Sequence, residues 1–284
     1  VRQLRLPRAL LGLLVGGALA LSGASLQALL QNPLADPYLL GVSGGAACGT
    51  LLGVALSAGV SGALIAGRLG TFLMPLAAFA GALVAVALVG LGASVDGRLD
   101  RGRLLLSGVV VNALASAVLL FLLSFSDATR TRSFVFWMLG SLSGATGDAV
   151  AALGLYALVG AAVLLPLARS FDALTLGDET AQTLGVPVES VKRLAYVAAS
   201  LLAAAAVSSA GIIGFVGLLV PHAARRLVRG HRALLVVSFV LGGVLLVLSD
   251  VVARSLFAPA EVSVGAVTAL IGAPGFLLLL RRRG

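Results

Sequence analysis

The sequence predicts an all-α, polytopic integral membrane bundle, and three observations carry that prediction. Hydrophobic residues make up 60% of the chain and charged residues 11%, with a mean hydropathy of +1.11. A soluble domain has no interior large enough to hide that much apolar surface. The apolar residues fall in runs near the length of about 20 residues that a helix needs to cross the hydrocarbon core. The 36 glycines complete the pattern, because helices in lipid associate through close backbone approach rather than by hydrophobic drive.

In chain order, the first predicted helix, near 6–30, stops where Pro33 and Pro37 remove amide donors and disfavour helical geometry in the residues before them. The second, near 39–58, carries Gly41, Gly45, Gly49 and Gly53 at four-residue steps, which leaves a smooth face for helix packing. Spans near 69–93 and 103–125 follow from apolar length. The segment 133–142, with Phe134, Phe136 and Trp137, is too short to span and suits an interface, where aromatic rings settle. Spans near 147–168 and 189–209 flank the longest polar connection, 170–192. There, Gly177 and the break Gly185-Val186-Pro187 predict two short helices outside the bilayer. The apolar segment 211–222 is only half a span. Such a piece survives at membrane depth where protein or a wet cavity satisfies its backbone. With final spans near 233–256 and 264–280, nine segments form one transmembrane domain over 1–284.

The net charge of +9 lies in short arginine clusters between apolar runs, so topology explains it and no nucleic-acid partner follows. Arg98, Arg101, Arg103, Arg169, Lys192, Arg193, the 225–232 cluster and 281–283 fall on one side. The positive-inside bias makes that side, with the C-terminus, cytoplasmic. Arg2, Arg5, Arg8, Arg68, Arg130, Arg132 and Arg254 remain on the opposite side and need a separate reason. Nine segments then start Val1 outside, and without an initiating Met an upstream helix is expected before it.

Catalytic chemistry is thin. Lys192 is the only lysine and follows Val191, so the phosphate-binding pattern G-x-x-x-x-G-K-[ST] occurs nowhere. ATP, if used, is hydrolysed by another subunit. His222 and His231 have no Cys, His or carboxylate at metal-ligand spacing, so structural roles are expected, with no metal and no cofactor. Cys48, alone in an apolar helix, reads as a packing residue. The broken segment would also suit an ion-coupled secondary transporter with inverted repeats, but the spans hold almost no carboxylates. A membrane-embedded enzyme would need clustered His, Cys or acid groups.

Six motifs in order carry a resemblance: RLPR at 5–8, LSGASLQALLQNPLADPYLLGVSGGA at 21–46, FWMLGSLSGA at 136–145, GFVGLLVPHAARRL at 214–227, SDVVAR at 249–254 and VGAVTALIGAPGFLLLL at 264–280. Together they resemble the FecCD-type permeases, membrane subunits of type II ABC importers for iron-siderophores, haem and vitamin B12. The resemblance implies a ten-helix subunit in a bacterial cytoplasmic (inner) membrane. It further implies a homodimer around a central path, two docked cytoplasmic ATPases, and an extracytoplasmic substrate-binding protein. The chain departs from the family by lacking the helix before RLPR. By resemblance, Asn32, Pro33 and Leu34 belong to the cytoplasmic gate of the path, where a plain helix-terminating turn is the alternative. Gly177, Asp178, Glu179, Leu184 and Gly185 resemble the coupling helices that sit in a groove of the ATPase. Arg5, Arg8 and Arg254 match positions that meet acidic residues of the binding protein, with helix-end anchoring as the alternative.

Overall fold

The computed structural model describes residues 5–59, 68–256 and 261–281. Val1, Arg2, Arg282 and Arg283, used above for topology, lie outside the described residues. Twelve α-helices occur among them: α1 (Arg5–Leu29), α2 (Val42–Gly59), α3 (Arg68–Ala93), α4 (Arg101–Ser124), α5 (Ala128–Met138), α6 (Gly147–Leu164), α7 (Ala168–Leu174), α8 (Asp178–Thr183), α9 (Val188–Ala210), α10 (Val216–Ala224), α11 (His231–Ser255) and α12 (Val264–Arg281). A 3-10 turn, Pro37–Leu40, precedes α2. Of the described helices, α1, α3, α4, α6, α9 and α11 are long and apolar enough to cross a membrane, while α2 and α12 hold shorter apolar stretches.

Each predicted run corresponds to a helix, with corrections at the edges. The predicted span 147–168 ends at Leu164, because Pro166 stops it and α7 begins at Ala168. The interfacial piece starts at Ala128, not 133, because the Asp127 carboxylate accepts from the Arg130 amide and caps α5. A short hairpin, β1 (Ser94–Val95) with β2 (Arg98–Leu99), was not foreseen; Asp96 and Gly97, both at positive φ, make its turn.

The bundle is built around α1, which is buried continuously over 15–29 and packs on α6, α9, α10 and α11. Glycine permits this. A Cβ on Gly16 would strike the Gly242 backbone, and one on Gly23 the Gly217 backbone. Around this centre, α4 turns Val109, Val110, Leu114, Leu120 and Phe121 outward, as a spanning helix does.

Gly45, Gly49 and Gly53 form one face of α2 against Ala77, Gly81 and Ala85 of α3. Gly81 answers them from the other side, since its Cβ would meet the Gly45 carbonyl. Gly41 does not share that helix. It ends the 3-10 turn at φ 81°, a left-handed conformation that favours glycine, and faces Val111 and Ala85. The half-span is corrected too: 211–215 is not helical, and α10 starts only at Val216 after positive φ at Gly211 and Phe215.

Candidate functional site

Two kinds of site emerge, one where helix ends meet around the broken segment, the other at opposite ends of the bundle. The break between α9 and α10 frees backbone groups that a membrane interior cannot hydrate. Tyr38, on the 3-10 turn, meets both groups of one residue: its hydroxyl donates to the Ile213 carbonyl (2.9 Å) and accepts from the Ile213 amide (3.0 Å). Asp36 caps the same turn by accepting from the Tyr38 amide at 2.8 Å. The buried Gln27 side chain donates to the Leu218 carbonyl of α10 (3.2 Å) and to Ala35 (3.4 Å). Arg225 reaches Gln27 Oε1 at 3.4 Å. The segment after α1 is therefore fastened to α10 and to the break at several points.

Asn32, Pro33 and Leu34 lie in that fastened segment. Asn32 Oδ1 accepts from the Leu34 amide at 2.9 Å, an Asx turn that holds the chain open beyond the helix. Leu34 is exposed, and Gln31 donates to the Leu174 carbonyl at the end of α7. The turn is thus attached on one side to α10 and on the other to the 170–192 connection.

That connection folds as α7 and α8 with Gly177 at φ 102° between them and Gly185 at φ 83° after them. A Cβ on either glycine would meet nothing, so backbone conformation alone selects glycine. Leu176 and Leu184 are each 62% exposed, and Glu179 and Gly185 are exposed beside them. Asp178 points the other way. Its Oδ2 takes Lys192 Nζ at 2.6 Å and its Oδ1 takes Arg101 Nη2 at 2.5 Å. Burial alone would raise this carboxyl, but the Lys192 hydrogen bond and the Arg101 and Lys192 charges hold it below its ordinary value. Lys192, with its side chain only 6% exposed, also reaches Glu189 (3.2 Å) and the Leu99 carbonyl, while Glu189 accepts from the Leu99 amide at 2.9 Å. The hairpin, α8 and α9 are joined here around a polar groove of about 750 Å³. His231 has a structural place nearby: its backbone amide donates to Asp172 Oδ1 at 3.0 Å, its ring Nδ1 lies 2.7 Å from the same oxygen, and its ring packs on Phe171.

At the other end, Arg8, Arg254, Asp250 and Glu261 form one network. Asp250, with a side chain 5% exposed, takes Arg8 at 2.9 Å and Arg254 at 3.1 Å, and Glu261 takes Arg8 at 3.2 Å. Arg8 is thus occupied within the chain, its side chain 16% exposed, whereas Arg5 is exposed. Among the described residues no three His, Cys, Asp or Glu side chains are grouped to hold a metal ion.

The description of the FecCD transport family matches residues 1–282. The chain belongs to that family. It is 47% identical to the cobalamin import system permease protein BtuC of Halobacterium salinarum, over 100% of this chain and 73% of that one. It is 41% identical to the hemin transport system permease protein HmuU of Yersinia pestis, over 99% of this chain and 83% of that one. Among solved structures, it superposes with a TM-score of 0.88 and 33% identity on an ABC transporter assigned to the metal-chelate type, in an inward-facing conformation. The match covers 99% of this chain and 88% of that one. This FecCD chain is accordingly a polytopic, all-α ABC transporter permease.

Sequence reasoning missed four residues that the structure brings into these contacts: Gln27, Tyr38, Arg101 and Lys192 as a buried pairing group. Gln27 offered a signal, being a lone amide in an apolar run that needs buried partners. Arg101 gave none, because its partners stand 72 and 77 residues away.

Proposed function

We propose that the chain is the membrane subunit of an ABC importer that passes an iron chelate, haem or cobalamin inward by alternating access. Two copies enclose the path in a bacterial cytoplasmic membrane, with the C-terminus and the α7–α8 connection in the cytoplasm. ATPase subunits act there, and a binding protein delivers substrate to the opposite end. The relatives named for cobalamin and hemin transport support this substrate class. The observation that carries the reading is the α7–α8 platform, where Leu176, Glu179 and Leu184 project from a scaffold fixed through Asp178. Exposed leucines on a rigid polar platform suit burial against a partner.

Asn32, Pro33 and Leu34 serve as the gate, since they end α1 in a turn tied to both the broken helix and α7. An ion-coupled carrier fits less well: the buried Asp250 is neutralised by two arginines, which leaves it poorly suited to load and release a cation. The chain and its co-purified ATPase, reconstituted in proteoliposomes, should take up the chelate only with ATP. Uptake driven by an ion gradient without the ATPase would refute the proposal, and a co-purified ligand identified by mass spectrometry would name the substrate.

A further inference from the structure

Four helix ends converge at Arg101. It is the first residue of α4, where a cation is unfavourable because the helix dipole already places positive charge there. Local helix preference therefore does not explain it, and its tertiary partners do. Arg101 Nε donates at 2.7 Å to the carbonyl of Leu29, the last residue of α1 and one of the acceptors that a helix end leaves unsatisfied. Arg101 Nη2 donates at 2.5 Å to Asp178, the first residue of α8, where a carboxylate suits the dipole. Asp178 passes the connection to Lys192 in the first turns of α9. One planar guanidinium thus bridges the platform proposed for the ATPase and the residue three positions before Asn32.

We infer that Arg101 is the positioning residue that carries movement of α8 to the gate turn, through the continuous path Asp178–Arg101–Leu29. This rests on the transport reading above. Both bonds are short and charge-assisted, and both leave the same rigid fork, so a shift of α8 pulls on the end of α1 without a flexible joint between them. Lysine at this position keeps the charge but lacks the fork, so it cannot hold both partners in the same geometry.

The test uses the reconstituted permease–ATPase complex with substrate and its binding protein, with transport and ATP hydrolysis read at native Leu34 and gate access read in a Cys48→Ala background carrying Leu34→Cys. Uptake, ATP hydrolysis and the rate of Leu34→Cys labelling by an impermeant maleimide are read with and without nucleotide. In the parent, nucleotide changes the labelling rate. In Arg101→Gln and Asp178→Asn, substrate moved per ATP falls about tenfold or more, the scale of one lost charge-assisted hydrogen bond, and labelling no longer responds to nucleotide. Arg101→Lys retains the thermal stability of the parent but only part of its coupling. The double variant Arg101→Gln with Asp178→Asn is no worse than the poorer single one, as members of one path require. A transport-to-ATPase ratio and a labelling response both unchanged in Arg101→Gln overturn the inference while leaving the transport reading intact. Absence of ATP-driven uptake by the complex with no substitution in the permease overturns both.

Discussion

Tyr38 shows how much one side chain settles at a broken helix. Its hydroxyl answers both the amide and the carbonyl of Ile213, where water is scarce. Tyr38→Phe keeps the ring and removes both bonds, so stability in detergent should fall by about 1–3 kcal/mol; an unchanged melting curve would mean that water or relaxed backbone replaces the hydroxyl. The arginines at the other end separate in the same way. Arg5 is exposed and Arg8 is held by Asp250 and Glu261. Arg5→Glu should weaken association with the binding protein and leave the melting temperature alone. Arg8→Glu should lower the melting temperature, because it places a carboxylate against a buried one. Binding that ignores Arg5→Glu and ignores salt would reduce Arg5 to a helix-end anchor. The sequence suggested RLPR and SDVVAR as a pair of motifs, but it could not say that Arg8 and Arg254 share one carboxylate, since 242 residues separate Arg8 from Asp250.

Among the elements, the contact of α2 with α3 was legible in spacing alone. Glycines four apart put Gly45, Gly49 and Gly53 on one face, and Gly81 meets them from α3. Gly49→Leu should force the helices apart at a cost of about 1–3 kcal/mol or more; full stability and transport in that variant would place the face elsewhere. The α7–α8 platform was legible as two short helices but not in its orientation, because Asp178 and Glu179 are adjacent, yet Asp178 is paired with Arg101 and Lys192 while Glu179 is exposed. Leu184→Asp or Glu179→Lys should release the ATPase from the permease while the membrane fold persists, a loss on the scale of an interface hot spot, about 2 kcal/mol or more. Co-purification at parental levels in both variants would remove the platform from the interface. The Asp178 cluster also has a pH signature. Its folded carboxyl titrates below the unfolded one, so its contribution is fully present above the ordinary carboxylate value near 4 and is lost as pH falls through the depressed value. Asp178→Asn should therefore be less stable than the parent at neutral pH, where both curves are flat with respect to this group, and should lose part of the acid slope below about pH 4, so that the two curves converge in acid; a constant offset at every pH would point to another group.

Over the whole molecule, composition and run length decided the class, and six ordered motifs pointed to the family that the match over residues 1–282 then established. Those properties are local: apolar length, proline breaks and glycine spacing act within a helix or between its ends, so a sequence displays them directly. What only the tertiary structure decided is which distant groups meet: Tyr38 with Ile213, Gln27 with Leu218, and Arg101 with Leu29 and Asp178. Such pairs carry no periodicity. Their partners are chosen by how the helices around α1 bring chain ends together, and a buried or desolvated polar group accepts whichever complementary group the packing delivers.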